Sequence, residues 1–415
     1  MEVIEYRESF KHPTCVCLNL TDNCNLACKY CFVQQKPHYM TLDVAKDAID
    51  YLVNNYYKKK ELEPNDEING VDVTFFGGEP TLLWDQIIVP IVAYSEEKYP
   101  NIVHFNITTN GTLLNDERID FLKEHNIPLL LSIDGDEYVQ NFNRPQRNGE
   151  GSFELVKRNI PKILQEFRGT TFRSTIYQPT CGELYNTYKF AEKMGFRHIF
   201  MCPNAREEWT EENLEILHQE IHKIVTHFIM SCMEQKLPIS CAALENAFQK
   251  ILQHDLQVYH NYTQELNLNR SILRCGIGTG SASIGYDGKI FGCQEQDSRD
   301  TNDFFYLGDI YQGIDIEKHK QLLGAYYKKA IMTCEDKTLC DNCGLRSTCI
   351  DDVCPSVSYD MFKDFHIKPK VDCLYHQWFL EDAIVAMDFL VKHENNETFK
   401  QYLNNIYSSY EKEGK

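Results

Sequence analysis

The stretch Cys24-Asn25-Leu26-Ala27-Cys28-Lys29-Tyr30-Cys31 places three thiols on one short segment, directly after the β-branched and apolar run TCVCLNL at 14–20. Three soft ligands leave one position of a metal centre open, whereas a structural zinc site is closed by four. Cys15 or Cys17 could supply a fourth ligand, but each precedes Cys24 by seven residues or more, at no familiar zinc spacing. An iron–sulfur cubane with one unligated iron suits three thiolates better.

Outward from this segment the chain alternates. Further strand candidates are VDVTFF (71–76), VHFNITT (103–109), LLLSID (129–134), FRSTIYQ (172–178) and HIFMC (198–202). Helical patterns lie at 41–59, 81–98, 115–125, 152–167, 183–194 and 211–235, with Thr41 and Thr81 as candidate N-caps. Repeated βα units imply a parallel sheet with right-handed crossovers. Six units instead of eight would close only part of a TIM-like barrel, whose chemistry gathers at the C-terminal strand ends. The cysteine segment follows the first strand, Gly77-Gly78-Glu79-Pro80 the second, Thr109-Asn110-Gly111 the third and Asp134-Gly135 the fourth.

Eight more cysteines lie between 275 and 373, in a Gly-rich region of little periodicity. Such a region needs metal or disulfide staples. The 17 cysteines in 415 residues fall short of a disulfide scaffold, and the charged N-terminus lacks the apolar core of a signal peptide. A cytoplasmic, reducing setting is therefore expected, where clustered cysteines bind metal or do chemistry. Cys181, Cys202, Cys232 and Cys241 have no ligand spacing and read as small buried hydrophobes. The net charge of −19 disfavours a nucleic-acid binder, and no apolar run is long enough for a membrane span. The expected domains are 1–210 (partial barrel), 211–270 (helical connector), 271–375 (Cys-rich) and 376–415 (helical).

CNLACKYC resembles the signature of the radical S-adenosylmethionine (SAM) superfamily: three cysteines at x3 and x2, with the aromatic Tyr30 before the last. The resemblance implies that Cys24, Cys28 and Cys31 hold a 4Fe–4S cluster that binds SAM. It implies that Gly77, Gly78 and Glu79 hold the SAM amino group. Asn110, Ser132, Asp134 and Arg144 are then expected nearby, Ser132 and Asp134 toward the ribose. Reductive cleavage of SAM would give a 5′-deoxyadenosyl radical that abstracts hydrogen from an unactivated carbon.

The later cysteines resemble the SPASM region of radical SAM peptide maturases, which binds two auxiliary 4Fe–4S clusters and brings the total to three. Cys275-x12-Gly288-x4-Cys293 and Cys340-x2-Cys343-x5-Cys349 match, Cys354 follows after x4 where the family has x3, and Cys373 is last. The resemblance assigns Cys340, Cys343, Cys349 and Cys373 to the outer cluster, and Cys275, Cys293 and Cys354 to the inner one. A fourth inner cysteine, present in sulfatase maturases a few residues after the first, is missing from GIGTGSAS, which leaves an open iron unless Cys334 fills it. An open iron suits binding of a substrate thiolate and thioether formation on a Cys-containing precursor peptide. The resemblance also implies a flavodoxin- or ferredoxin-type electron donor. Formylglycine formation is the alternative, but the position after Cys293 is Gln294 where that family has an Asp base. Carbon–carbon crosslinking, epimerisation and a non-catalytic metal-binding scaffold are further alternatives. Glu295 and Asp297 read equally as solvated loop charges or as a base. Only 23 residues precede Cys24, so leader recognition is expected on the barrel and SPASM surface or on a separate protein.

Overall fold

A computed structural model describes residues 6–260, 275–298, 304–327, 332–341, 343, 354–392 and 396–413. Six parallel strands stand side by side in chain order: β1 (Cys15–Thr21), β2 (Val71–Gly77), β3 (Val103–Thr109), β4 (Leu129–Ser132), β5 (Thr171–Ile176) and β6 (His198–Pro203). Each lies within about two residues of its sequence-based position. The short β7 (Ser240–Cys241) adds to β6 in parallel. At the other edge, β8 (Ser281–Ile284) pairs in parallel with β1, and β9 (Lys289–Phe291), β10 (Tyr306–Asp309) and β11 (Gly313–Ile314) continue antiparallel. The Cys-rich region thus begins as an extension of the barrel sheet. Asp287-Gly288 forms the β8–β9 turn, with Gly288 at φ +82°.

Strand alternation builds the core. Val16, Leu18 and Leu20 share one face of β1 and are buried with the helix faces, including Ala45, Ile49 and Leu52 of the helix Leu42–Leu62. Cys17 and Asn19 share the opposite face. Asn19 Nδ2 donates to Asp297 Oδ1 at 3.1 Å, and Ser283 Oγ donates to the Cys17 carbonyl at 3.2 Å. The helix Lys370–Lys392 packs on the helices Glu211–Met233 and Ala242–His260 and on β6, where Tyr375 Oη donates to the Met201 carbonyl at 2.8 Å.

Proline reshapes two of the expected helices. Pro90 lacks an N–H, and the 81–98 pattern is a 3₁₀ turn (Pro80–Leu83), a π turn (Trp84–Ile88) and an α-helix (Val89–Lys98). Pro161 divides 152–167 into Phe153–Lys157 and Ile160–Glu166. Thr41 caps its helix by accepting from Val44 N at 3.3 Å. Thr81 is not a cap: it lies inside the turn and donates to Glu79. The helix Glu137–Asn143 had no counterpart in the sequence reading. No described helix is long and apolar enough to cross a membrane.

Two buried histidines tie the N-terminal segment down. His12 Nδ1 lies 3.0 Å from Asn55 Oδ1, and His319 Nδ1 lies 3.1 Å from Tyr6 Oη while Nε2 meets the Gly278 carbonyl. Burial lowers both from the usual 6.5. The unfolded chain therefore binds more protons than the folded one below pH 6.5, and stability falls as the pH drops through that value. Urea midpoints at pH 7.5 and 5.5 should show a smaller acid-induced loss for His319→Gln than for the parent. An equal loss would show that His319 is not part of the acid response.

Candidate active site at the strand ends

The cysteine segment runs from the C-terminal end of β1 and is held by backbone pairing, not by its thiols. Ala27 N donates to the Pro145 carbonyl at 2.8 Å, Lys29 N to Asn143 at 3.0 Å, and Arg147 N to Asn25 at 3.3 Å. Leu26, fully buried, anchors the middle. Cys24 is buried, Cys28 half-buried and Cys31 exposed, so the triad opens toward solvent. Burial pushes the Cys24 thiol up to about 12 and Cys28 to about 11, and the neighbouring thiols add to both. Soft donors gathered and desolvated in this way fit an iron–sulfur cluster, which would take them as thiolates. Among the described residues no three His, Cys, Asp or Glu side chains converge on the position of a single metal ion. A cluster of four irons is wider than one ion and spreads its ligands.

Gly77 and Gly78 are required by close approach. A Cβ on Gly77 would lie 2.3 Å from the Thr21 carbonyl, and one on Gly78 2.2 Å from the Asn23 carbonyl. Gly77 also sits at φ +126°. Gly78 N donates to Thr21 O at 2.7 Å and Glu79 N to Asn23 O at 3.0 Å. The second strand end is thereby clamped onto the root of the cysteine segment. Glu79 extends the clamp to the third. Its buried carboxylate accepts from Thr81 N (3.1 Å), Thr81 Oγ1 (2.5 Å), Thr109 Oγ1 (2.8 Å) and Asn110 N (2.8 Å). Burial pushes it up, and these donors oppose the shift. Asn110 Nδ2 in turn lies 3.8 Å from Cys24 Sγ and donates to Asn25 Oδ1 at 3.0 Å.

The fourth strand end carries Asp134. Its carboxylate accepts from Tyr30 Oη (2.5 Å), Asn143 Nδ2 (3.0 Å), Arg144 Nε (3.1 Å) and Thr175 N (3.1 Å). Arg144 Nη1 lies 4.0 Å from Cys28 Sγ. Asp134 was expected at the ribose; here its acceptor sites are filled from within the chain, and it braces Tyr30 and Arg144 beside the cysteines. Ser132 is half-buried at the same strand end and pairs with Arg173 of β5.

Cys275, Cys293 and Cys354 lie near one another around Glu295, and each thiol is raised first by burial and further by the Glu295 charge. Cys334 is elsewhere. Its backbone N donates to Cys340 Sγ at 3.2 Å, and a hydrogen bond with Cys373 lowers its thiol. Cys334, Cys340 and Cys373 thus form one neighbourhood, with Cys343 adjoining through Cys343 N to Cys340 O at 3.4 Å. Cys349 lies outside the described residues.

Glu295 is not a solvated loop charge. Its Oε2 accepts from Arg206 Nη2 at 2.6 Å, and Arg206 also binds Asp360 Oδ2 at 3.0 Å. The Arg206 guanidinium stands 5.8 Å from the Phe32 ring, next to Cys31. Arg206 bridges the two cysteine regions and was missed in the sequence, where nothing marks one arginine after β6. Asp297 is likewise held, by Ser283 and Asn19, and burial pushes it up to about 8. Cys181, Cys232 and Cys241 are buried as expected, but half-buried Cys202 accepts from Arg173 Nη2 at 3.0 Å.

Residues 18–191 match the family model of the Radical SAM superfamily. The chain is 28% identical to a cysteine-type anaerobic sulfatase-maturating enzyme of Clostridium novyi, over 44% of this chain and 49% of that one. It is 28% identical to the radical SAM cyclopropyl synthase TigE of Paramaledivibacter caminithermalis, over 80% of this chain and 66% of that one. The chain spans about half the length of the first curated relatives it matches. Among solved structures, anSMEcpe with bound AdoMet and Cp18Cys peptide superposes with a TM-score of 0.66 at 18% identity, covering 92% of this chain and 99% of that one. That likeness shows a shared fold.

Two substitutions separate the clamps from the thiols. Asp134→Asn strands the Arg144 cation in a buried site and should cost roughly 3–5 kcal/mol, read as a lower urea midpoint. Gly78→Ala should cost about 1–3 kcal/mol and misplace the cysteine segment, read as less iron bound after anaerobic reconstitution. Unchanged values in either would show that the clamp is dispensable.

Proposed function

On the premise that residues 18–191 belong to the radical SAM superfamily, we propose that this chain is an enzyme that modifies a ribosomally made, Cys-containing precursor peptide, joining cysteine sulfur to a residue carbon. The observation that carries the reading is the grouping of Cys275, Cys293 and Cys354 without Cys334, which sits with Cys340 and Cys373. An inner auxiliary cluster held by only three cysteines has room for a substrate sulfur beside the site of hydrogen abstraction. Cys340, Cys343, Cys349 and Cys373 would hold the outer cluster, with Cys334 adjacent. Cys24, Cys28 and Cys31 would hold the SAM-binding cluster.

When bound, the reduced cluster and SAM together supply a 5′-deoxyadenosyl radical. The protein's part is positional. The N–H groups of Gly78 and Glu79 are already engaged. A SAM ammonium group, itself a donor, would therefore use carbonyl oxygens of this turn. Ribose contact would fall to Ser132, with Asp134 holding Tyr30 and Arg144 in place. The electron donor would be of the flavodoxin or ferredoxin type, and the setting cytoplasmic.

Formylglycine formation is the second reading, favoured by the similarity to sulfatase-maturating enzymes. Against it stands Gln294, a neutral amide that cannot act as a base. Anaerobic co-expression with a short Cys-containing peptide encoded beside the gene should give loss of two hydrogens per link, with the linked cysteines resistant to alkylation. Free thiols with the same mass loss would indicate carbon–carbon chemistry, an unchanged mass epimerisation, and a hydrazide-reactive product formylglycine. Reconstituted protein that forms no 5′-deoxyadenosine on reduction would leave only a metal-binding scaffold.

A further inference from the structure

We propose that the Glu295 carboxylate is the fourth ligand of the inner auxiliary cluster, completing the set begun by Cys275, Cys293 and Cys354. The inference rests on the reading above that these three cysteines hold that cluster.

Three observations lead to it. Cys334 is committed to the neighbourhood of Cys340 and Cys373, so the fourth ligand must come from elsewhere in the chain or from a substrate. Glu295 Oε2 lies 3.7 Å from Cys354 Sγ. It also follows Cys293 by two residues in the chain, which sets it beside two of the three cysteines. The position is also built. Gln296 N donates to the Cys293 carbonyl at 3.1 Å, which curls the chain back after Cys293 and turns Glu295 inward. Gln296 Nε2 fastens that turn to Ser356 Oγ at 2.6 Å and to Asp360 Oδ1 at 2.9 Å, on the segment that follows Cys354.

As ligands, three thiolates and a carboxylate would gather four negative charges in a small space. Arg206 supplies one positive charge, and it is shared with Asp360. A cluster at the centre would supply the remainder. Glu295 Oε2 both accepts from Arg206 and faces Cys354, and a carboxylate oxygen has two lone pairs, so it can keep that hydrogen bond and still offer a lone pair to iron. Oxygen is a poorer match than thiolate for a soft iron–sulfur site. Glu295 would therefore hold the fourth position until a cysteine thiolate displaces it. The exchange moves no electrons: one Fe–O bond breaks, one Fe–S bond forms, and the freed carboxylate stays paired with Arg206.

The test uses full-length protein carrying Cys24→Ala, Cys28→Ala and Cys31→Ala, so that only auxiliary clusters contribute. Anaerobically reconstituted and reduced samples are titrated with isotopically labelled cyanide and followed by electron paramagnetic resonance hyperfine coupling. Glu295→Ala should bind cyanide at a concentration about tenfold lower than its parent, because no carboxylate has to leave. Equal titrations would overturn the assignment. If Glu295→Ala fails to retain inner-cluster iron, Glu295→Cys decides: restored iron with no cyanide response supports the ligand role, and iron that stays lost overturns it. Cys275→Ala separates the two levels of inference. Unchanged iron content and spectrum in that variant would remove the inner cluster itself, and with it the proposal; lost iron there, with equal cyanide titrations, would remove the proposal alone.

Discussion

One buried carboxylate holds four pieces of the barrel mouth together. Asp134 receives donors from the cysteine segment (Tyr30), the end of the following helix (Asn143), the loop beyond it (Arg144) and the fifth strand (Thr175). A buried carboxylate is costly unless paired and hydrogen-bonded, and here every donor doubles as a fastening. The segment 143–147 could not otherwise present its carbonyls to Ala27 and Lys29. The three thiols therefore take their positions from a polar post that no thiol touches.

Glu79 does the same one strand pair away. Gly77 and Gly78 remove the side-chain bulk that would keep the second strand end off Thr21 and Asn23, and Glu79 then ties the third strand to that junction. Asn110 and Arg144 carry the hold of Glu79 and Asp134 on to the neighbourhoods of Cys24 and Cys28. Glu79, Asn110 and Asp134 sit at C-terminal strand ends, where a parallel sheet splays its loops and leaves backbone groups to be satisfied.

Much of this was legible in the sequence because it is local. Strand runs of β-branched residues, the x3 and x2 cysteine spacing and the Gly-Gly-Glu turn each carry their own signal, and β1–β6 fall close to where alternation put them. What stayed hidden depends on pairing at a distance. Nothing local distinguishes an aspartate that meets a ribose from one filled by four internal donors. Thr81 resembles a cap until Glu79 is seen to occupy its N–H. Glu295 looks like a loop charge until Arg206, 89 positions earlier, is found at 2.6 Å. Cys334 could not be assigned by spacing, because its neighbour Cys373 reaches it through the parallel pairing of Thr333–Cys334 with Ile367–Lys368.

The pairing of β8 with β1 bears on how the two cysteine regions relate. Cys24 follows one end of β1, and Cys275 and Cys293 flank the β8–β9 hairpin hydrogen-bonded along that same strand. Their separation is set by ladder register and not by a linker, since Cys15 to Leu18 pair residue for residue with Ser281 to Ile284. Arg206 closes the span from the far side of the barrel mouth, with Phe32 on one side and Glu295 on the other. A sheet register and a shared ion pair hold geometry far more tightly than a hinge between separate domains. Register and ion pair together fix where the barrel-mouth cysteines and the later cysteines stand relative to one another.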